Sequence, residues 1–489
     1  MNSPSFDLGP EPGSLAGSAV QPRQWQVLLL QLLRRRLLQP HPNGHDVLIN
    51  AGPGAGKTLG ALLGFQRLHR DGHLSRFVVF CHRSSIGGQW QASSARLGLR
   101  LALWEPEQPQ RSADSHGLLI TYQSASRHSE RLAALLADPG LGAWMAIADE
   151  VHHLGLDPDE PEASAWGHAF SRLTATAGLR LGLTGTPFRA DNLAFCAARR
   201  VQATEGDTTV ERIVPDLSVE PQELIAAGDV RPLEFRFQDG CVDHGRRSDD
   251  PDGETSPLSA EERESWRARN LRRAIQLGDS SSIALHLLIR ARRKLEEVRQ
   301  EHPEAGGLVI ARDIAHARRI TGLLEEEGDR VQLVHSQDPE ANDRLQAFQR
   351  GEGRWLVSID MCAEGFDAPR LRVVAYLTTV VTRTRFLQGI TRAVRMDGSR
   401  AALEPVPRQC SYVFAPADPL LMRYARSWSL SEPYLIRSRS SEQAPESAGS
   451  MPSTGLPLQA LRDRAGDVIR LGGPQLPDFL RRSASHAVL

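Results

Sequence analysis

Residues 46–58, DVLINAGPGAGKT, constrain this chain more than any other stretch. An apolar run (Val47, Leu48, Ile49) breaks into a Gly/Pro-rich loop, then Gly56-Lys57-Thr58, then a helical pattern from Leu59. Strand, loop and helix in that order make a phosphate cradle. Glycines let backbone N–H groups converge on an anion, and the new helix points its positive dipole end at the same place. In that geometry Gly52, Gly54, Ala55 and Gly56 line the anion, Lys57 reaches the outer phosphates and the Thr58 hydroxyl takes one position on Mg²⁺. The usual spacing is Gly, four residues, Gly-Lys-Ser/Thr; here Ala51 stands for the first Gly. Of the 58 basic residues, 56 are arginine, and Lys57 and Lys294 are the two lysines. A planar guanidinium does not replace a compact ammonium over a phosphate, so Lys57 is a pointed exception.

With 489 residues there is room for two or three domains, each with its own core. A net charge of −1 excludes a global basic field, so any polyanion must bind in a locally basic groove. Five widely spaced cysteines without a C-x-x-C argue against structural zinc, an iron–sulfur cluster or a disulfide framework. The N-terminus carries no basic segment followed by an apolar core, and the apolar run Val27–Leu33 is too short to span a bilayer. A cytoplasmic protein is the expectation. Residues 1–20 are rich in Ser, Gly and Pro and read as a disordered lead-in.

From Gln24 to Gln39 the pattern is helical and apolar, opened by Arg23-Gln24-Trp25-Gln26. Beyond the phosphate loop, apolar strands recur at 77–81, 117–120, 144–148 and 179–183, with helical stretches between them. That alternation predicts an α/β parallel sheet, whose functional residues gather at the carboxyl ends of the strands. The third of these strands ends in Asp149-Glu150-Val151-His152-His153 and the fourth in Thr184-Gly185-Thr186-Pro187. A carboxylate beside the phosphate loop can hold Mg²⁺, and its neighbour can orient and deprotonate an attacking water. Adjacent histidines diverge and lack a third ligand, which argues against a metal pair at His152 and His153.

Residues 190–230 read as irregular and polar. Arg231–Phe237 alternates as an edge strand does, a helix runs over 282–299, and strands follow at 308–311, 331–334, 355–359 and 373–377. This second half repeats the rhythm of the first without a phosphate loop of its own. In it, Phe386–Arg395 (FLQGITRAVR) places Gln388, Arg392 and Arg395 at i, i+4 and i+7 of one helix face. Two guanidiniums facing the loop of the other domain can stabilise charge building on a phosphoryl group. After about residue 435 the chain turns low in complexity.

The ordered set AGPGAGKT, DEVH, LTGTPFR, EGFDAP and QGITRAVR resembles the motifs of superfamily 2 helicases and translocases of the DEAD/DEAH-box kind. It is similar in particular to the type III restriction-subunit-like, DNA-repair-helicase-like branch, over about residues 23–395. The resemblance implies two tandem RecA-like P-loop NTPase domains, α/β with mainly parallel sheets flanked by helices, over 21–210 and 211–436, with a tail at 437–489. It implies ATP and Mg²⁺, with Lys57, Thr58, Asp149 and Glu150 at the phosphates and metal, and Arg392 and Arg395 as arginine fingers. Gln26 would contact the adenine, Gln388 would give polar support, and Gly365 and Asp367 would lie near the ribose. His152, Thr184 and Thr186 would couple hydrolysis to the nucleic-acid groove. Arg83, Gln89, Thr121, Gln123, Arg312 and His335 would touch mainly phosphate and sugar of a strand. The implied activity is a nucleic-acid-dependent ATPase that separates strands or translocates, on DNA in preference to RNA. A duplex motor of a restriction, defence or repair complex, with a nuclease or repair subunit on a partner chain, and an ATP-switched scaffold are the alternatives. Two departures stand out: Thr-Gly-Thr in place of Ser-Ala-Thr at 184–186, and Gly389 and Thr391 where Arg and Gly are usual.

Overall fold

The computed structural model describes residues 20–42, 44–107, 115–154, 162–185, 199–205, 208–243, 255–261, 263–278, 282–359, 366, 368–396, 398–430, 436–437 and 469–470. Two all-parallel sheets organise them. In the first the strands lie in the order Leu101–Leu103, Gly117–Thr121, Arg76–Cys81, Trp144–Asp149, Leu179–Thr184, Asp46–Ala51, Leu217–Val219. In the second the order is Leu233–Gln238, Ser411–Pro416, Leu371–Leu377, Gly306–Ala311, Trp355–Ser358, Val331–Val334. Central strands covered by helices on both faces need no polar side, and the loop and carboxylate strands show it. Val47, Leu48 and Ile49 are all buried, as are residues 144–149 without exception.

The opening helix, Gln24–Leu38, lies against the helix that follows the phosphate loop, Lys57–Arg70. Two glycines of the second helix permit the approach. A Cβ at Gly60 would sit 2.9 Å from Trp25, and one at Gly64 would sit 2.5 Å from Leu33. This contact sets the start of the opening helix directly over the loop. A single buried apolar cluster then continues from Leu29 and Phe65 of the first half to Phe235, Ile390 and Val394 of the second, so the halves pack together.

The carboxylate strand Trp144–Asp149 lies in the same sheet as the loop strand; Leu179–Thr184 lies between them, with Asp46–Ala51 paired from Asp46↔Arg180 to Asn50↔Thr184. Other expectations need revision. The stretch expected to be irregular contains an antiparallel hairpin, Arg199–Glu205 with Thr208–Val214. The first sheet takes its edge strand from Leu217–Val219, beyond the boundary expected at residue 210. Leu233–Gln238 does stand at the edge of the second sheet, and the long helix runs Ile283–Glu301 from a Ser282 cap. No helix among the described residues is long and apolar enough to cross a membrane. The tail expected at 437–489 and the lead-in at 1–20 lie almost wholly outside the described residues.

Candidate nucleotide cleft

The loop strand ends at Ala51 and the next helix begins at Lys57. Between them Gly54 (φ 80°) and Gly56 (φ 83°) take left-handed conformations that an L side chain resists. Three side chains from the start of the opening helix grip three successive loop carbonyls. Arg23 Nη1 donates to Gly54 O at 2.6 Å, Trp25 Nε1 to Ala55 O at 2.9 Å, and Gln26 Nε2 to Gly56 O at 3.0 Å. A trans peptide plane carries its N–H opposite its C=O. The Gly56 and Lys57 N–H groups therefore point away from these donors, at the helix N-terminus where an anion is favoured. Arg23 also reaches the segment between the halves, donating to Asp229 O at 3.2 Å and pairing with its carboxylate at 3.4 Å.

Asp149 and Glu150 close the opposite wall. Asp149 is buried; the Trp90 indole donates to its Oδ2 at 2.9 Å, and the Tyr122 hydroxyl donates to its carbonyl at 2.7 Å. Burial, and then the charge of Glu150, push its pKa up to about 6, against the opposing pull of the Trp90 bond and Lys57. Glu150 has φ 50°, the one positive φ outside glycine among the described residues. That left-handed conformation is uncommon for a residue with a side chain and stands here at the end of a strand. Lys57 Nζ donates to Ala51 O at 3.0 Å and lies 3.9 Å from Glu150 Oε1. Beneath it runs Gly185, where a Cβ would meet Nζ at 2.6 Å and Ala51 O at 3.1 Å. An alanine here would displace the end of the lysine side chain from its present position.

The third wall comes from the second half. Gln388, Thr391, Arg392, Arg395 and Met396 line one cleft of about 310 Å³ with the loop glycines, Lys57, Thr58, Asp149 and Glu150. Six Arg or Lys side chains and two carboxylates surround it, a balance suited to a polyphosphate. The finger segment is not one straight helix. The helix Arg383–Ile390 gives way to a tighter turn, Thr391–Val394, and Arg395 is extended. Outside partners hold that turn: Ser411 Oγ donates to Ala393 O at 2.8 Å and Arg231 N to Val394 O at 2.9 Å. The three residues expected on one face reach the same cleft by this bent route.

Residues 19–189 match the family model described as type III restriction enzyme, res subunit, and residues 290–397 match helicase conserved C-terminal domain. An uncharacterized protein of Mycobacterium tuberculosis is 31% identical over 84% of this chain and 64% of its own length. The chain thus spans less than two thirds of that relative. The protein named DNA 3'-5' translocase XPB2 from Sulfurisphaera tokodaii is 25% identical over 58% of this chain and 62% of its own. Among solved structures, a fragment of a putative HsdR subunit of a type I restriction enzyme from Vibrio vulnificus YJ016 shares the fold. It aligns with TM-score 0.52 and 15% identity, over 83% of this chain and 66% of that one. The chain belongs to the superfamily 2 helicases, on their type III restriction-subunit-like side. Its two parallel sheets are the tandem RecA-like domains of that family.

Against the motifs of a superfamily 2 helicase, some expected residues lie elsewhere. Gln26 is 1% exposed and its amide is spent on Gly56 O and on the Arg23 N–H, so it braces the loop; Arg23 is the residue of that segment that lines the cleft. Arg83 and Gln89, expected on a strand-binding face, line the nucleotide cleft. Thr121 caps the helix Tyr122–Arg127 through Ser124 N at 3.1 Å, and Arg312 pairs with Asp313 at 2.7 Å. Gln123 and His335 follow the carboxyl ends of Gly117–Thr121 and Val331–Val334. Thr184 is wholly buried at its strand end and does not line the cleft. His152 is in the turn Val151–Leu154, with its side chain outside the description, while His153 lines the cleft and stacks on His82 at 3.9 Å. Thr186, Gly365 and Asp367 lie outside the described residues. Sequence reasoning missed Trp90 and Tyr122 as supports of Asp149, and the only available signal was an aromatic beside Gln89 and Thr121.

Proposed function

We propose that the chain is an ATP-driven motor on nucleic acid, with DNA as its track. One observation carries the reading: the loop and carboxylates of the first domain and two arginines of the second line the same cleft. ATP is the substrate. The turned-in loop amides, Lys57 and the Thr58 hydroxyl would hold its phosphates, with Thr58 and Asp149 as the positions for Mg²⁺. The metal, when bound, neutralises phosphate charge. Glu150 would take the proton of the attacking water, and Arg392 and Arg395, supported by Gln388, would stabilise the charge that develops. Because the arginines belong to the second domain, opening and closing the cleft is coupled to turnover, and that motion would step the protein along a strand. We place the domain boundary after Val219, where the first sheet ends.

DNA is favoured by the name of the relative matched over 58% of this chain, a DNA translocase, against RNA helicases matched over 21% and 17%. The word translocase in that name favours, as a second reading, a motor that moves along duplex without separating strands, with any nuclease on a partner chain. The test is steady-state ATPase with no polymer, single-stranded DNA, duplex DNA and RNA at one salt concentration. Stimulation by DNA, lost in Lys57→Ala and Glu150→Gln, is expected; stimulation by duplex alone selects the translocase. Turnover that survives both substitutions would overturn the assignment of the cleft.

A further inference from the structure

We propose that Trp90 is a positioning residue for Mg²⁺, acting through Asp149; this rests on the nucleotide reading of the cleft. Trp90 sits in the helix Gly87–Arg96, 59 residues before its partner, and is 1% exposed. Its indole N–H donates to Asp149 Oδ2 at 2.9 Å. An indole can donate and cannot accept, so it fixes one carboxylate oxygen without competing for the cation. The ring is packed on all sides, which locks the direction of the N–H and therefore the plane of the carboxylate. Tyr122 fixes the same residue from the backbone side through its 2.7 Å bond to Asp149 O. The two aromatics hold Asp149 from two different helices, and neither lines the cleft. Lys57 does not do this work: its ammonium rests on Ala51 O and toward Glu150. A carboxylate free to rotate would lose orientation on each metal release; one tied through Oδ2 keeps its remaining lone pairs aimed at the cleft. Supporting partners of this kind are typically worth about 10- to 100-fold in metal affinity.

The same helix puts Gln89, Ser93 and Arg96 into the cleft, so a shift of this helix would carry the indole with it. Trp90 is in this way a mechanical connection between the segment after Arg76–Cys81 and the metal carboxylate.

The experiment is calorimetric titration of ADP into the full-length chain, once in EDTA and once in Mg²⁺. The ratio of the two affinities measures how far the metal and the nucleotide help each other. Trp90→Phe keeps an aromatic in place and removes the donor. The ratio is expected to fall about tenfold, with ADP affinity in EDTA and the melting temperature close to wild type. An unchanged ratio in folded Trp90→Phe overturns the proposal. If that variant does not fold, Trp90→His and Trp90→Leu are compared, because only histidine can keep a ring N–H in place; equal ratios overturn the proposal. A wild-type chain whose ADP binding ignores Mg²⁺ overturns both this inference and the reading it rests on, and the wild-type titration alone reveals it.

Discussion

Substituting Gly54 by alanine tests whether the phosphate loop and the finger segment work as one assembly. Gly54 has φ 80°, and a Cβ there would lie 3.0 Å from Val230 Cγ1, 3.3 Å from Val394 Cγ2 and 3.6 Å from Arg395 Cγ. The left-handed backbone costs an alanine about 1 kcal/mol wherever the second domain sits. The two tight contacts add about 1–3 kcal/mol, the usual cost of overpacking. The tighter contact is with Val230, and only the Val394 contact belongs to the arrangement in which the finger segment approaches the loop. At 1.36 kcal/mol per factor of ten, a share of about 1 kcal/mol for that contact slows turnover by roughly fivefold. Gly52 is the control in the same loop. It has no positive φ, and its nearest neighbours would be Pro221 Cγ at 3.8 Å and Leu224 Cδ1 at 4.0 Å, which is ordinary contact. Steady-state ATPase and thermal melting of both variants without nucleotide separate the terms. Gly54→Ala should melt lower and lose kcat, whereas Gly52→Ala should melt as wild type does. A Gly54→Ala protein with wild-type kcat and melting would refute the reasoning, since neither the backbone nor the contact would then matter.

Two further outcomes follow from buried charges. Asp149 is raised from 3.8 to about 6, so the folded protein holds this proton more tightly than the unfolded chain, and stability falls as pH rises through that window. Asp149→Asn should therefore melt higher than wild type at pH 8 without nucleotide, converge with it near pH 4, and lack ATPase activity; equal melting at both pH values would refute the burial argument. Arg231 and Glu404 form a buried pair with Nη2 and Oε2 2.6 Å apart and side chains 1% and 6% exposed. Glu404→Ala leaves the guanidinium with the Gln409 carbonyl at 3.2 Å and no counter-charge, and should cost about 3 kcal/mol in denaturant unfolding; a loss below about 1 kcal/mol would mean that solvent reaches the arginine.

Much of this arrangement was legible in the sequence because its signals are local. The run Val47–Ile49, the glycines after it and the helix from Lys57 are determined by neighbours a few residues away, and they appear in the structure as read. The carboxyl-end rule for parallel sheets then accounts for Asp149 and Glu150 beside the loop, whereas the arginines of the second half come from a turn held at the amino ends of Leu233–Gln238 and Ser411–Pro416. What the sequence did not disclose depends on partners far along the chain. The spacing of Gln388, Arg392 and Arg395 reads as a straight helix, and only Arg231 and Ser411, which take the carbonyls of Val394 and Ala393, show why it bends. Leu217–Val219 is too short to announce a strand, and it is one because the backbone of Ile49–Ala51 would otherwise be an unpaired sheet edge.

Gln26 and Arg23 show the same limit at closer range. Four consecutive residues, Arg23 to Gln26, are read from sequence as a helix start with one base-contacting amide. In the fold they divide differently: Trp25 and Gln26 turn under the loop, and Arg23 spans from Gly54 O to Asp229. The difference arises from Gly60 and Gly64, whose missing side chains let the opening helix sink onto the next one until these donors meet the loop carbonyls. An alanine at Gly60 would press on the rigid Trp25 ring, so the indole that serves the Ala55 carbonyl would have to shift, whereas at Gly64 it would meet only the end of the Leu33 side chain.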